Sequence, residues 1–291
     1  DCRFSTWLYR LVNNAAIDYL RREKRHRDTG DVDDLELPDG DPSPQELAEQ
    51  SDTRAAVRRG LDRLSPEHRQ VLLLRYMQES ANHQMRDEGP SYMELFDEGK
   101  AFILSRMVVH TYAPLHQYEQ IDTFNWPSEG KGATFYRCHR IERDGKVVAE
   151  ALGYWALVDI HTHKLYRVGE VTFPNYTQGE LKELDGVRFR LPEQMTFVGK
   201  HIVAYHETDC NRHLNNTYYP DLLVDFLPER DTHYVSDFSI HFVKEAPLGE
   251  ELSVYISEPE EAPDGLHRYF RTERASGGVN IEAVVTLKER A

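Results

Sequence analysis

The spacing of apolar residues changes period along the chain, and the change separates two kinds of structure. From Phe4 to Leu20, the residues Phe4, Trp7, Leu8, Leu11, Val12, Ala15, Ala16 and Ile17 recur three and four positions apart, which predicts a helix with one buried face. Ser65-Pro66-Glu67 predicts a further helix start: the serine can accept an orphan backbone N–H, and proline at the first helical position gives up no hydrogen bond. Leu73, Met77, Ala81 and Met85 share a helical face, as do Tyr219, Leu222, Leu223 and Phe226. From about Glu119 onward strands broken by turns take over, with Phe135, Tyr136, Trp155, Leu157 and Val158 in β-rich runs and Asp144-Gly145 marking a tight hairpin.

The strand-rich part repeats itself weakly. Ala113-Pro114-Leu115 recurs as Ala246-Pro247-Leu248, and the same offset carries Asp144-Gly145 onto Gly277-Gly278. One strand-turn-strand-hairpin unit has been used twice, each copy preceded by one of the two amphipathic helices. A helix wrapped by a curved antiparallel sheet is the hotdog plan, and this repetition, together with the family resemblance given below, makes the expected fold class α+β: a double hotdog, a long helix wrapped by antiparallel sheet, twice, preceded by a short all-α segment.

Composition narrows the classes of function. At 291 residues, one or two folded units are expected. Apolar residues at 40 % and charged residues at 29 % are globular usage, which excludes wholesale disorder. A formal net charge of -15 repels nucleic-acid phosphates and anionic lipid, so any such partner needs a local basic patch. Cys2, Cys138 and Cys210 are an odd set without metal-ligand spacing, which argues against a disulfide framework or a zinc site and fits a reducing cytoplasm. His110, His116, His161, His163, His201 and His241 are scattered, so no metal and no cofactor is expected. No run approaches the roughly 20 apolar residues that span a bilayer. The chain opens on Asp1 directly into an amphipathic helix without a signal-peptide pattern, which suggests that its true start lies upstream.

Polar chemistry crowds into one stretch, Tyr205 to Tyr219, after the apolar run Ile202 to Tyr205 and before the second helix. If Asp209, Asn211 and His213 lie on extended chain, the period of two puts a carboxylate, an amide and an imidazole on one side, next to a helix end whose N–H groups favour an oxyanion. The plainer alternative is a polar loop in which Asp209 and Asn215 or Asn216 cap the helix and His213 is a surface imidazole.

The run Asp209-Cys210-Asn211-Arg212-His213-Leu214-Asn215-Asn216, followed by Tyr218-Tyr219, resembles the active-site loop of the plant and bacterial acyl-acyl carrier protein thioesterases. Ala101 to Arg106, Phe124-Asn125-Trp126 and Gly153 to Asp159 are similar to strands of that family, and the resemblance extends from about residue 73 to 291. It implies hydrolysis of fatty acyl-acyl carrier protein, or acyl-coenzyme A, to free fatty acid. The implied catalytic residues are Asp209 as nucleophile or base, Asn211 and His213 as orienting and polarising groups, and Glu245, within Phe242 to Ala246, on the hydrolytic water. Ala246 stands where many plant members have a cysteine, which argues against a cysteine nucleophile, and Cys210 is then a small loop filler. Arg137, Arg140, Arg143 and Lys146 are candidates for docking an acidic carrier protein.

The N-terminal part resembles a different family. Phe4 to Arg10 with Ala16 to Arg22 is similar to the promoter-reading helix of extracytoplasmic-function sigma factors, and Leu64 to Arg75 to the first helix of their helix-turn-helix. The upstream polymerase-binding helices and the recognition helix after Arg75 are absent, so DNA and RNA polymerase are not expected partners. The implied organisation is a sigma-like region-2 fragment over 1–30, an acidic linker over 31–54, a region-4 fragment over 55–75, a first hotdog over 73–165 without its opening strand, and a second hotdog over 166–291 with the catalytic loop. A sigma-like transcription-factor fragment and an inactive acyl-binding hotdog module are the competing functions.

Overall fold

The computed structural model describes residues 77–290 apart from 79, 114–118, 172, 174, 175, 187 and 210. The expected helices over 4–20 and from Ser65, with the sigma-like and linker segments they define, lie outside the described residues, as do Leu73, Cys2, His116 and Cys210.

The first helix, α1, covers residues 80–88, and Met77, Ala81 and Met85 are buried as their spacing requires. A short helix α2, Tyr92–Asp97, comes next. It starts where Ser91 and Glu94 cap each other: Ser91 Oγ accepts the Glu94 N–H, and Glu94 Oε2 accepts the Ser91 N–H. Four strands succeed it, β1 (Lys100–Thr111), β2 (Asp122–Lys131), β3 (Thr134–Arg143) and β4 (Lys146–Asp159). After a linker the second half runs β5 (Thr196–Ile202), a 3-10 turn at Tyr205–Glu207, another at Asn216–Tyr218, helix α3 (Tyr219–Asp225), then β6 (His233–Phe242), β7 (Glu251–Ile256), β8 (Glu260–Ala262), β9 (Gly265–Arg274) and β10 (Val279–Glu289).

All ten strands form one antiparallel sheet in the order β2-β3-β4-β1-β6-β10-β9-β7-β5, with β8 on β9. The halves mirror each other about the β1–β6 seam: in each, the seam strand, β1 or β6, lies beside the last strand, β4 or β10. This is a double hotdog. Among the described residues no strand lies outside β2, whereas β5 flanks β7 at the other edge. The Asp144-Gly145 hairpin is built as expected, with φ of 51° and 70°, the left-handed pair that matches strand twist.

The structure corrects two details. The wrapped helix α3 is seven residues, not long, because Leu227 precedes Pro228 and the residue before proline is pushed out of the helical region. The repeat is also out of step with its sequence markers. Tyr112 and Ala113 both donate to Val148 O, and Val243 and Lys244 both donate to Asn280 O, so Ala113 aligns with Lys244 rather than Ala246. The second copy therefore has two more residues ahead of its proline, and one of them is Glu245.

A main core joins the buried face of α3 (Tyr219, Leu222, Leu223) to Phe238, Ile240, Val254, Phe270, Ile281, Ala283 and Val285, and continues through Val109, Ile141 and Ala151 of the first half. A smaller cluster, Val108, Cys138, Leu152 and Leu184, forms apart from it under the linker. The linker is pinned there by Trp126 Nε1 donating to Glu180 O at 2.8 Å and by Gly179 N donating to Pro127 O at 2.9 Å. A Cβ at residue 179 would come within 2.3 Å of the Trp126 ring, so this approach needs glycine.

Candidate active site

Strand β5 ends at Ile202, and the chain turns through Tyr205–Glu207 into the polar stretch. Glu207 stabilises the turn by accepting from Ala204 N at 2.7 Å and pairing with His201 Nε2 at 2.9 Å. Burial pushes its carboxyl upward, but these hydrogen bonds outweigh burial and hold it below the usual glutamate value. Thr208 and Leu214 then pair as an antiparallel bridge, which closes the intervening residues into a tight loop.

The loop is not extended, contrary to the premise that put three side chains on one side by alternation. Asp209 Oδ1 accepts the backbone N–H groups of Asn211 at 2.8 Å and His213 at 3.1 Å, and Asp209 N donates to His213 O at 2.9 Å. An aspartate that satisfies nearby backbone donors competes with extended chain and wins here. The cost is a left-handed residue, Arg212, at φ 62°. The helix cap comes from Asn215, whose side chain accepts from Thr217 N at 3.0 Å, so Asp209 is not used as a cap.

The loop is laced to the segment after β6. Leu214 N donates to Ala246 O at 2.8 Å, Leu248 N donates to Arg212 O at 2.9 Å, and His213 bridges Pro247. That lacing brings His213 Nδ1 to 3.2 Å from Glu245 Oε2, although the two residues are far apart in sequence. The pair opens to solvent, with the His213 side chain 31 % and the Glu245 side chain 58 % exposed. Asn211 reaches the other way, donating from Nδ2 to Tyr92 Oη of α2 at 3.2 Å. Buried Tyr219 is held neutral, chiefly by desolvation, and the negative charges of Glu245 and Asp209 act in the same direction.

The four residues singled out from the sequence thus occupy one locality, and its neighbours Tyr92, Asn280 and Arg274 were missed. Nothing local marks them: Tyr92 belongs to the first half, while Arg274, which donates to Glu245 O at 3.1 Å, and Asn280 lie on β9 and β10. The basic cluster suggested for docking fares worse. Arg137 is 8 % exposed and donates to Gln84 and Asn125, Arg143 is paired with Glu119 at 2.7 Å, and Arg140 lies over the Phe124 ring and pairs with Glu142. Alternation in β3 turns Arg137 beneath α1 instead of out to a partner, so only Lys146 of that set is an exposed cation. Among the described residues no group of three or more His, Cys, Asp or Glu side chains could hold a metal ion, and no helix is long and apolar enough to cross a membrane.

A carboxylate held by two backbone N–H groups, an imidazole beside a second carboxylate, and an amide can together activate water or attack a carbonyl carbon, and polarise its oxygen. Comparison with known proteins gives this chemistry a context. Residues 192–289 match the family model described as the acyl-ACP thioesterase C-terminal domain. An acyl-ACP thioesterase from Bacteroides thetaiotaomicron is similar in structure at 19 % identity and a TM-score of 0.63, over 75 % of this chain and 89 % of that one. An oleoyl thioesterase from Lactobacillus plantarum gives 17 % and 0.66, over 76 % and 89 %. The 12:0-ACP thioesterase from Umbellularia californica gives 14 % and 0.65, over 76 % and 87 %. At such identities the likeness shows the shared double hotdog. No curated protein matches the sequence.

Proposed function

We propose that this chain is a member of the acyl-ACP thioesterase family and hydrolyses the thioester of a fatty acyl group on acyl carrier protein, or on coenzyme A, to free fatty acid and thiol. The observation that carries the reading is the approach of Glu245 to His213 beside the Asp209 loop, all inside the span that matches the family's C-terminal domain.

In this reading Asp209 is oriented through Oδ1 by its two backbone donors, which leaves Oδ2 to act. As a base it takes a proton from water while the water oxygen bonds to the acyl carbon. As a nucleophile it bonds to that carbon itself, giving an acyl anhydride that water then cleaves. On either route the carbonyl oxygen gains negative charge, which Asn211 and His213 offset, and the carbon–sulfur bond breaks with a proton passing to the departing thiolate. Glu245, whose Oε2 lies 3.2 Å from the imidazole Nδ1, holds the hydrolytic water. Exposed Arg212 and Lys244 flank the site and offer the positive charge that an acidic carrier protein, or the phosphates of coenzyme A, requires.

The test is release of free thiol from acyl carrier protein and coenzyme A thioesters of several chain lengths. Turnover by the wild type and its loss by a hundredfold or more, of the order expected for a missing acid–base group, in Glu245→Gln support the reading. Tight acyl binding without turnover would instead mark an acyl-binding module, and full activity in Glu245→Gln would refute the assignment of the site.

A further inference from the structure

We infer that Asn280 is a positioning residue for Glu245: its buried side-chain amide sets where the glutamate leaves the sheet and ties that point to the helix after the catalytic loop. The inference rests on the proposed thioesterase reading for its kinetic consequence, but not for its geometry.

Glu245 lies just past the end of β6, with an exposed side chain, so the backbone of residues 243–245 decides where its carboxylate can reach. Asn280 holds that backbone from both sides. Its carbonyl oxygen accepts from Val243 N at 2.9 Å and Lys244 N at 3.0 Å, and its side-chain Nδ2 donates back to Lys244 O at 2.6 Å. A carbonyl can only accept, so the amide nitrogen must face it. The same Nδ2 donates to Tyr219 Oη at 2.9 Å, and Oδ1 accepts from Thr272 Oγ1 at 2.8 Å, which in turn accepts from Ile281 N. Both amide hydrogens are used and the group is 0 % exposed. One amide therefore joins the strand end that carries Glu245 to α3, the continuation of the loop that carries Asp209, Asn211 and His213.

The first half of the molecule supplies the control. Its bend after β1 is the same: Tyr112 N and Ala113 N donate to Val148 O at 2.9 and 3.4 Å. Val148 is skipped between the pairs Ile141↔Ala149 and Glu142↔Val147, just as Asn280 is skipped between Thr272↔Ile281 and Glu273↔Val279, so each is the extra residue of a β-bulge. The bend and bulge form with valine in the first half, where no counterpart of the His213–Glu245 pair occurs among the described residues. Burying an amide is costly unless every polar atom is paired, so the fold alone does not call for asparagine at this position. What the amide adds over valine is the grip on Lys244 O and Tyr219 Oη, next to Glu245.

The experiment compares wild type, Asn280→Val, Asn280→Asp and Glu245→Gln in the full chain. Asn280→Val installs the residue used at the same bend in the first half. It should fold, lose the contact between His213 and Glu245 in its crystal structure, and lower kcat roughly ten- to a hundredfold with little change in KM, the penalty of a misplaced catalytic group. Asn280→Asp keeps the shape but turns an acceptor toward Lys244 O in a fully buried site, so it should lower kcat and also the melting temperature, and Asn280→Val carries the kinetic comparison. The inference is overturned if Asn280→Val keeps Glu245 within hydrogen-bond distance of His213, if its kcat is unchanged while Glu245→Gln is inactive, or if neither Asn280 variant folds, which would make the amide a stability element. If Glu245→Gln stays fully active the thioesterase reading fails separately, and the crystal structure of Asn280→Val still decides the positioning.

Discussion

Replacing Asp209 by Asn separates the two roles of its carboxylate. Oδ1 shapes the loop through bonds from Asn211 N and His213 N, and an asparagine Oδ1 can accept both. What changes is charge: a backbone bond to an ionised acceptor contributes about 1 kcal/mol more than one to a neutral acceptor, so two such bonds lose about 2 kcal/mol. For a folded unit of this size that lowers the melting temperature by about 4–8 °C. Asp209→Ala removes the acceptor altogether and should cost about 3 kcal/mol, the low end for two bonds to a charged acceptor, because water can reach the partly exposed loop. If the carboxylate also performs the chemistry, both variants should lose thiol release by about 10²–10⁴-fold, whatever the difference in their stability. Thermal melts run beside single-turnover thiol release read the two effects separately. Near-normal turnover in Asp209→Asn would show that the carboxylate only shapes the loop.

Other parts of the molecule give further expected outcomes. Across the β1–β6 seam His110 Nδ1 pairs with Asp237 Oδ1 at 2.7 Å and His110 Nε2 meets Asp185 O at 3.0 Å. The Asp237 hydrogen bond is the main cause holding the imidazole above its usual 6.5, and for Asp237 burial is outweighed by its bonds to His110 and Ser236, which hold it below 3.8. The histidine's contribution to stability is complete below 6.5 and is lost as pH rises through its raised folded value, whereas the aspartate's is present above 3.8 and is lost as pH falls through its lowered one; melts of His110→Gln from pH 5 to 9 should therefore be flatter than wild type on the alkaline side. Leu223→Ala, at a fully buried position of α3, should cost about 2–5 kcal/mol in denaturant unfolding. Lys244→Glu should raise KM for acyl carrier protein thioesters, and high salt should erase the difference; an unchanged KM at low salt removes Lys244 from docking. Cys210→Ala should leave turnover unaltered, and a dead variant would mean that the site has been mapped onto the wrong residues.

Features that depend on near neighbours were legible without the fold. Met77, Ala81 and Met85 are buried because helical spacing puts them on one face, and Asp144-Gly145 turns because those residues tolerate left-handed backbone. The composition of the Asp209–His213 loop was legible too, but its shape was not: alternation would align the three side chains only on extended chain, and the Asp209 side chain closed a turn instead. The encounter of His213 with Glu245, the burial of Arg137 beneath α1 and the clamp of Asn280 on Lys244 are decided by how strands separated along the chain pair and bulge. A single skipped residue in a ladder bends the strand and re-aims its neighbours, and the bulges that skip Val148 and Asn280 differ in whether a valine or an amide fills the same bend. The residues at this site were therefore set by local sequence, and their meeting by the register of the sheet, a sum over long-range contacts that no short stretch of the chain contains.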